Sequence, residues 1–188
     1  TICSSTDLRD NAWHHIAVQR RRSDGYMWLF VDGQVRAQSD GPDGDISYPD
    51  NGVPGYYCGS GGTSSCANSD PFIVLGAEKH DYNRHSAPAF RGWMDELRFS
   101  TTLRYAGSFT PASAAFAPDS ATAALYHFDE GAGNDVIDST SGNRSAGVRK
   151  YGGNPAGPVW STDTALRAPT TPGQVRLTAS SYSANEGS

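Results

Sequence analysis

The sequence lacks the long apolar stretches and the basic surplus that mark two large classes of protein. No segment approaches the roughly 18 consecutive apolar residues that a membrane-spanning helix requires. The 188 residues include 15 Lys and Arg against 20 Asp and Glu, for a formal net charge of -5. A nucleic-acid-binding face needs clustered basic residues, and the one short run, Arg20-Arg21-Arg22, abuts a predicted turn. We therefore expect no membrane span and no nucleic-acid partner.

Helix-forming stretches are also scarce. The chain has only two Met, whereas it contains 21 Gly, 11 Pro and 11% aromatic residues. Gly and Pro favour turns, and aromatic and β-branched residues favour strands. The length suits one packed domain with a tail. This composition predicts an all-β protein.

Cysteine occurs at only three positions. Cys58 and Cys66 flank a loop too rich in Gly and Ser to hold a shape unaided, and we predict a disulfide between them. A disulfide implies an oxidising, extracellular or cell-surface location. Cys3 is left over: its partner lies upstream or in a neighbouring chain, or it is a buried free thiol.

Alternating apolar stretches, separated by turn residues, run along the chain. Residues 13–20 and 26–31 are predicted strands, and Asp32-Gly33 predicts a tight hairpin into residues 34–37. Further strands are predicted over 72–76, 90–99 and 124–128. The strand at 26–31 is apolar on both faces, so we expect it to be covered on both or to line an aromatic groove.

Two stretches read as connections rather than core. Residues 39–71 carry Gly, Pro, Asp and Ser throughout and predict a long loop. Residues 169–173 resemble a linker, and a strand-like run starts at Gln174. We predict a β-sandwich domain over 1–167, followed by a linker and the start of a further β domain over 168–188.

Two segments resemble a known family. Residues 13–18, Asp24-Gly25 and residues 29–33 resemble the central hairpin of laminin-G-like and pentraxin-like jelly rolls. Residues 90–99 are similar to the closing strand of those domains, and residues 105–131 resemble the C-terminal extension of bacterial members. The resemblance implies an antiparallel β-sandwich of the concanavalin A-like lectin and glucanase class.

The sequence departs from this family at its start. Such domains place several strands before the segment that begins here at Trp13, so we expect a sandwich that is incomplete at its N-terminal side or completed by another chain. At the other end, residues 183–187 are similar to the opening of Calx-β repeats. Both features suggest a piece of a larger modular protein.

Hydrolysis of glycans is not expected. Retaining glycosidases need two carboxylates about 5–5.5 Å apart on one face of the groove. Asp95 and Glu96 are adjacent and would point to opposite faces of a strand, and Asp129 and Glu130 share this defect at a Gly-rich turn. The sequence therefore predicts a protein that is not an enzyme.

Asp95 is predicted to share a strand face with Trp93, Leu97 and Phe99. A carboxylate on an apolar face must be paired or bound to a metal. The family resemblance implies that Asp95 helps to hold a structural calcium ion. Hydrogen bonding to the backbone or to an Arg is the alternative.

Aromatic side chains are the remaining positive signal, because they can stack on sugar rings or pack in the core. The candidates are Tyr26, Trp28, Tyr56, Tyr57, Tyr82 and Trp93. Tyr56, Tyr57 and Tyr82 are predicted to contact a ligand, since loops on a rigid scaffold display binding residues. Core packing is the expected role of Trp28 and Trp93.

These patterns predict a non-catalytic extracellular binding or adhesion module that recognises a glycan or another surface ligand. One alternative is a structural subunit of an extracellular filament, sheath or surface layer, with neighbouring copies as partners. Cys3 and the missing opening strands favour it, because an incomplete sandwich leaves strand edges for a neighbour to cover. Another alternative is an accessory domain of a polysaccharide-degrading enzyme.

Overall fold

A computed structural model describes residues 2–46, 73–76, 90–149 and 158–166, and the backbone of residues 174–177. This part of the chain contains ten strands and no helix. All of its strand pairs are antiparallel. For these residues the prediction of an all-β, antiparallel protein is confirmed, and the two-layer jelly roll stays a prediction.

The first sheet is a meander of three strands in the order β1-β2-β3. They span Ile16–Arg20, Met27–Val31 and Gln34–Ser39. The predicted hairpin at Asp32 and Gly33 is confirmed, since both have positive φ, 51° and 74°. Two successive positive φ angles give the turn a twist that matches its flanking strands.

An aromatic segment covers one face of this sheet. The ring of Phe30, which is fully buried, lies 5.7 Å from that of Tyr105 and 5.6 Å from that of Phe109. The side-chain amide of Gln19 on β1 donates to the carbonyl of Tyr105 at 2.6 Å and accepts from the amide of Arg104 at 3.2 Å. Apolar packing and a part-buried amide together fix this crossing segment on the meander.

The stretch predicted as one strand over 90–99 is two strands, and that prediction is wrong in this respect. They are β4, Gly92–Met94, and β5, Leu97–Ser100. The break lies at Glu96, whose φ of 55° is incompatible with an extended strand. Its carboxylate is held by groups distant in the sequence, as described below, and these contacts stabilise the bend.

Five further strands complete the described structure. They are β6, Thr122–Tyr126; β7, Asp135–Val136; β8, Gly147–Val148; β9, Val159–Ser161; and β10, Gln174–Leu177. β5 pairs with β6, β7 pairs with β8, and a third sheet has the order β4-β10-β9. β10 lies in the segment predicted to open a further domain, and the boundary at 168 stays a prediction.

The strand predicted over 72–76 is not formed in its described part, residues 73–76. The side chain of Ile73 is 67% exposed there. Its apolar sequence indicated a buried strand, but the local chain bends instead.

A small core joins the later strands. It is centred on Phe128 and Val136, with Met94, Leu97, Tyr126 and Trp160 packed against them. These residues come from β4, β5, β6, β7 and β9 and from the turn after β6, so packing draws short strands from three sheets together. The core lies next to the bend between β4 and β5, which contains Asp95.

The residues that the structure describes form no helix with the length and apolar character needed to cross a bilayer.

Candidate functional site

Asp95 lies in the bend between β4 and β5, against the loop that follows β9. Its Oδ2 accepts hydrogen bonds from the hydroxyl of Thr164 and the amide of Ala165, both at 3.0 Å. Burial raises the pKa of Asp95, these hydrogen bonds oppose the shift, and the charge of Glu96 adds to it. Backbone hydrogen bonding is the alternative that the sequence set against a calcium ligand, and it is present here.

A second carboxylate, that of Asp129, lies close enough to interact with Asp95. Burial raises the pKa of Asp129, and the negative charges of Asp95, Glu96 and Glu130 raise it further, while His127 opposes them. A divalent cation would relieve this accumulation of negative charge, although Ca²⁺ takes six to eight oxygens. Within the described ranges, no group of three or more His, Cys, Asp and Glu is arranged to hold a metal. Calcium at Asp95 stays a prediction.

Sequence analysis missed a second role for this region, a hydrogen bond between Glu96 and His127. Glu96 Oε1 lies 2.7 Å from His127 Nδ1, and Glu96 Oε2 accepts the amide of Phe116 at 2.9 Å. The glutamate side chain is 9% exposed. Both of its oxygens are thus used within the protein. The one sequence feature that pointed to this contact was Glu96 itself, an acidic residue within the strand predicted over 90–99.

The sheet β4-β10-β9 presents an exposed aromatic face. Met94 and Trp160 are in register with the same residue of β10 and pack on the core. Trp93 and Val159 are both in register with Arg176, so they lie on the opposite face. There Trp93 is 39% exposed and Val159 is 43% exposed. We call these two residues the Trp93 face; the expected core packing of Trp93 is not what the structure shows.

The other predicted aromatic candidates, Tyr26 and Trp28, form a packed cluster on the first sheet. Their rings are 4.8 Å apart at 63°. The guanidinium of Arg21 lies 5.3 Å from the Trp28 centroid and 5.9 Å from that of Tyr26. Asp24 fixes this guanidinium through Nε at 2.8 Å. Trp28 is half-buried, with the Arg21 guanidinium over its ring, whereas Trp93 is 39% exposed.

Several predicted site residues lie outside the described residues, namely Tyr56, Tyr57, Tyr82, Cys58 and Cys66. The ligand contacts and the disulfide predicted for them stay predictions. Cys3 is described, and it is an exposed free thiol. The alternative of a buried thiol at Cys3 is therefore wrong.

Comparison with known proteins identifies no relative of this chain. The chain matches no family model, no curated protein and no solved structure. The likeness to laminin-G-like domains rests on the motifs named above.

Proposed function

We propose that the chain is a non-catalytic extracellular module that binds carbohydrate through the Trp93 face. The observation that carries the proposal is an indole that is 39% exposed on the face of the sheet β4-β10-β9 opposite the core. The C–H groups of a pyranose ring pack on aromatic faces, and an aromatic ring fixed on a strand needs little ordering on binding. Val159 is exposed on the same face of the sheet and lies across β10 from Trp93.

The surroundings of the acidic residues support binding rather than hydrolysis. A glycosidase needs one carboxyl group free to protonate the leaving oxygen and another free to attack or to activate water. Here Glu96 is engaged at both oxygens by His127 and Phe116, and Asp95 Oδ2 is engaged by the loop after β9. Structural contacts of this kind would compete with a glycan for the same atoms.

A glycan array tests the proposal. Loss of one aromatic stack should weaken binding about fivefold or more, if a sugar ring gains about as much as the roughly 1–3 kcal/mol of a base stacked on an aromatic side chain. We expect the wild-type protein to be retained by at least one glycan and Trp93→Ala to lose that retention. Val18→Ala is the matched control, since Val18 is 61% exposed on a different sheet. Unchanged binding by Trp93→Ala, or release of new reducing ends from the glycan, contradicts the proposal.

The extracellular part of the proposal is tested separately. A disulfide between Cys58 and Cys66 would form in an oxidising compartment and pin the loop that carries Tyr56 and Tyr57. We expect non-reducing peptide mapping of the secreted protein to yield the two cysteines as one linked peptide. Two free thiols in that protein would remove this support.

A second candidate function, the subunit of an extracellular assembly, is favoured by one observation. Among the described strands β1 pairs only with β2, so none of them covers its other edge. The side chains of Ile16 and Val18 on β1 are 47% and 61% exposed. An apolar edge strand is a template for pairing with another chain.

Assembly and glycan binding are separated by one variant. If β1 builds an assembly, Val18→Lys should abolish polymers seen by electron microscopy, because a charge on an edge strand opposes pairing. It should leave retention on the glycan array intact. Wild-type protein that stays monomeric at high concentration rules out this second candidate.

A further inference from the structure

The imidazole of His14 lies between two carboxylates from different parts of the chain. Its Nδ1 is 2.8 Å from Oδ2 of Asp32, and its Nε2 is 3.0 Å from Oδ1 of Asp10. The His14 side chain is only 18% exposed, whereas those of Asp10 and Asp32 are about half exposed. Asp32 is in the β2–β3 turn, and Asp10 belongs to the segment that precedes β1.

This geometry favours a doubly protonated ring. A neutral imidazole has one N–H and one lone pair, whereas the imidazolium donates from both nitrogens. Carboxylates only accept, so a neutral ring would leave one lone pair facing a negatively charged oxygen. The hydrogen bonds to Asp32 and then to Asp10 raise the pKa of His14, which agrees with the geometry.

The two carboxylates are held unequally. Asp32 Oδ1 also accepts the amide of His15 at 2.9 Å, in a turn fixed by two strands. Within the described residues, the further hydrogen bonds to Asp10 come from its own short segment, chiefly the amide of Ala12 at 2.9 Å. Asp10 and Asp32 are the charged groups that act on His14, and the ring of His15 acts on Asp32 as well.

We propose that Asp10, His14 and Asp32 form a pH-operated clasp, in which loss of the second ring proton frees Asp10 while His14 stays bonded to Asp32. The neutral ring keeps its remaining proton on Nδ1, towards the better-anchored and nearer acceptor. Nε2 then presents a lone pair to Asp10, and repulsion opens that side. This device goes beyond the proposed binding function and does not depend on it.

The pKa shifts of His14, Asp10 and Asp32 give the direction in which pH acts on the clasp. The pKa of His14 is raised, so the clasp is fully closed below its unfolded value of about 6.5 and opens as pH rises through the higher folded value. Hydrogen bonds from His14 lower the pKa of Asp10. For Asp32, burial would raise the pKa, but bonds from His14 and His15 outweigh it. The acid limit of the closed state therefore lies below the usual Asp range.

Opening has a consequence beyond the clasp itself. The segment it holds includes Trp13, whose indole Nε1 donates to Asp163 at 3.4 Å. Asp163 follows β9, so the same segment connects the first sheet to the end of another. Release of Asp10 from His14 loosens the start of this segment, three residues before Trp13.

Amide exchange and an imidazole titration by NMR test the clasp on the intact protein. The pH is raised from about 5 to about 9, across the ordinary His range. We expect the exchange of the Ala12 amide, corrected for its intrinsic pH dependence, to rise about tenfold as His14 deprotonates, the scale of one charge-assisted hydrogen bond. The His15 amide, held by Asp32, should keep its protection.

Two exposed variants make the test decisive. Asp10→Asn removes the charge with little change of shape, so it should lower the pKa of His14 and abolish the pH step at Ala12. Asp24→Asn, which alters a carboxylate bonded to Arg21 instead, should change neither. A His14 titration unaltered by Asp10→Asn, or constant Ala12 exchange while His14 deprotonates, overturns the proposal.

Discussion

The carboxylate of Asp138 accepts a hydrogen bond from the amide of Leu125 at 3.1 Å, inside the core. Leu125 is fully buried and Asp138 is 1% exposed. The same carboxylate accepts the amides of Thr140 at 3.0 Å and Ser145 at 3.2 Å. One buried charge therefore ties strand β6 to the turn that follows β7.

Removing this carboxylate should destabilise the fold. Asp138→Ala leaves three amides without their acceptor, one of them in the core, and we expect a loss of about 3 kcal/mol in the free energy of unfolding. Urea unfolding measures it. Asp135→Asn is the control, because Asp135 is exposed on the neighbouring strand and should change stability by less than about 0.5 kcal/mol. Equal effects of the two variants would contradict the structural role of Asp138.

The pair of Glu96 and His127 should make a graded contribution. Glu96→Ala removes the partner of His127 and of the Phe116 amide and should cost about 2–3 kcal/mol, whereas Glu96→Gln keeps an acceptor for Phe116 and should cost less. A double-mutant cycle with His127→Ala measures the coupling, expected at about 1 kcal/mol. Additive effects in that cycle would show that the two side chains do not stabilise each other.

Two glycines with nearly equal backbone angles should differ in their tolerance of a side chain. Gly33 and Gly44 have φ of 74° and 71°. A Cβ at Gly33 would overlap the carbonyl oxygen of Phe109, whereas at Gly44 it would meet no atom within 4 Å. We expect Gly44→Ala to cost about 1 kcal/mol, for φ alone, and Gly33→Ala about 3 kcal/mol or more, measured by thermal unfolding. Similar costs would mean that Phe109 does not lie over the hairpin turn.

Calcium binding at Asp95 has a simple thermal test. A cation that binds only the folded protein raises Tm, because it stabilises that state by RT ln(1 + c/Kd), where c is the free cation concentration, and it would relieve the repulsion between Asp95 and Asp129. We expect millimolar Ca²⁺ to raise Tm of the wild-type protein at pH 7 and to have no effect on Asp95→Asn. Without a difference between the two proteins, Asp95 is not a calcium ligand, and its bonds to Thr164 and Ala165 are structural.

The same two carboxylates set a pH dependence in the absence of calcium. The pKa values of Asp95 and Asp129 are raised by burial and by nearby negative charge. A raised carboxyl pKa means that the folded state holds its proton more tightly, so stability falls as pH rises from the unfolded value of about 3.9 through the folded one. Asp95→Asn should flatten this decline in unfolding experiments. A steeper decline in the variant would contradict the assignment.

Local sequence patterns predicted the first sheet well. Asp32 and Gly33 encode their turn by their own backbone preferences, and the strands beside them are continuous apolar or alternating runs. No distant contact is needed to interpret them. This is why the strands observed between Ile16 and Ser39 match the predicted ones within about three residues at each end.

Tertiary contacts decided what the sequence did not reveal. The bend at Glu96 depends on His127 and on the backbone of Phe116, which lie 31 and 20 residues away. The buried role of Asp138 likewise depends on Leu125 of β6, which lies 13 residues before it. Period-two alternation placed Asp95 and Trp93 on one strand face, but the bend ends β4 before Asp95.

The four tryptophan indoles provide the most direct test of the proposed binding surface. Trp13, Trp28, Trp93 and Trp160 are all described, and each gives its own indole N–H signal in an ¹H–¹⁵N spectrum. On titration with the glycan that is best retained on the array, we predict a progressive shift of the Trp93 signal with the other three unchanged. A shift of Trp28 instead, or no shift of any indole at saturating glycan, would contradict binding at the Trp93 face.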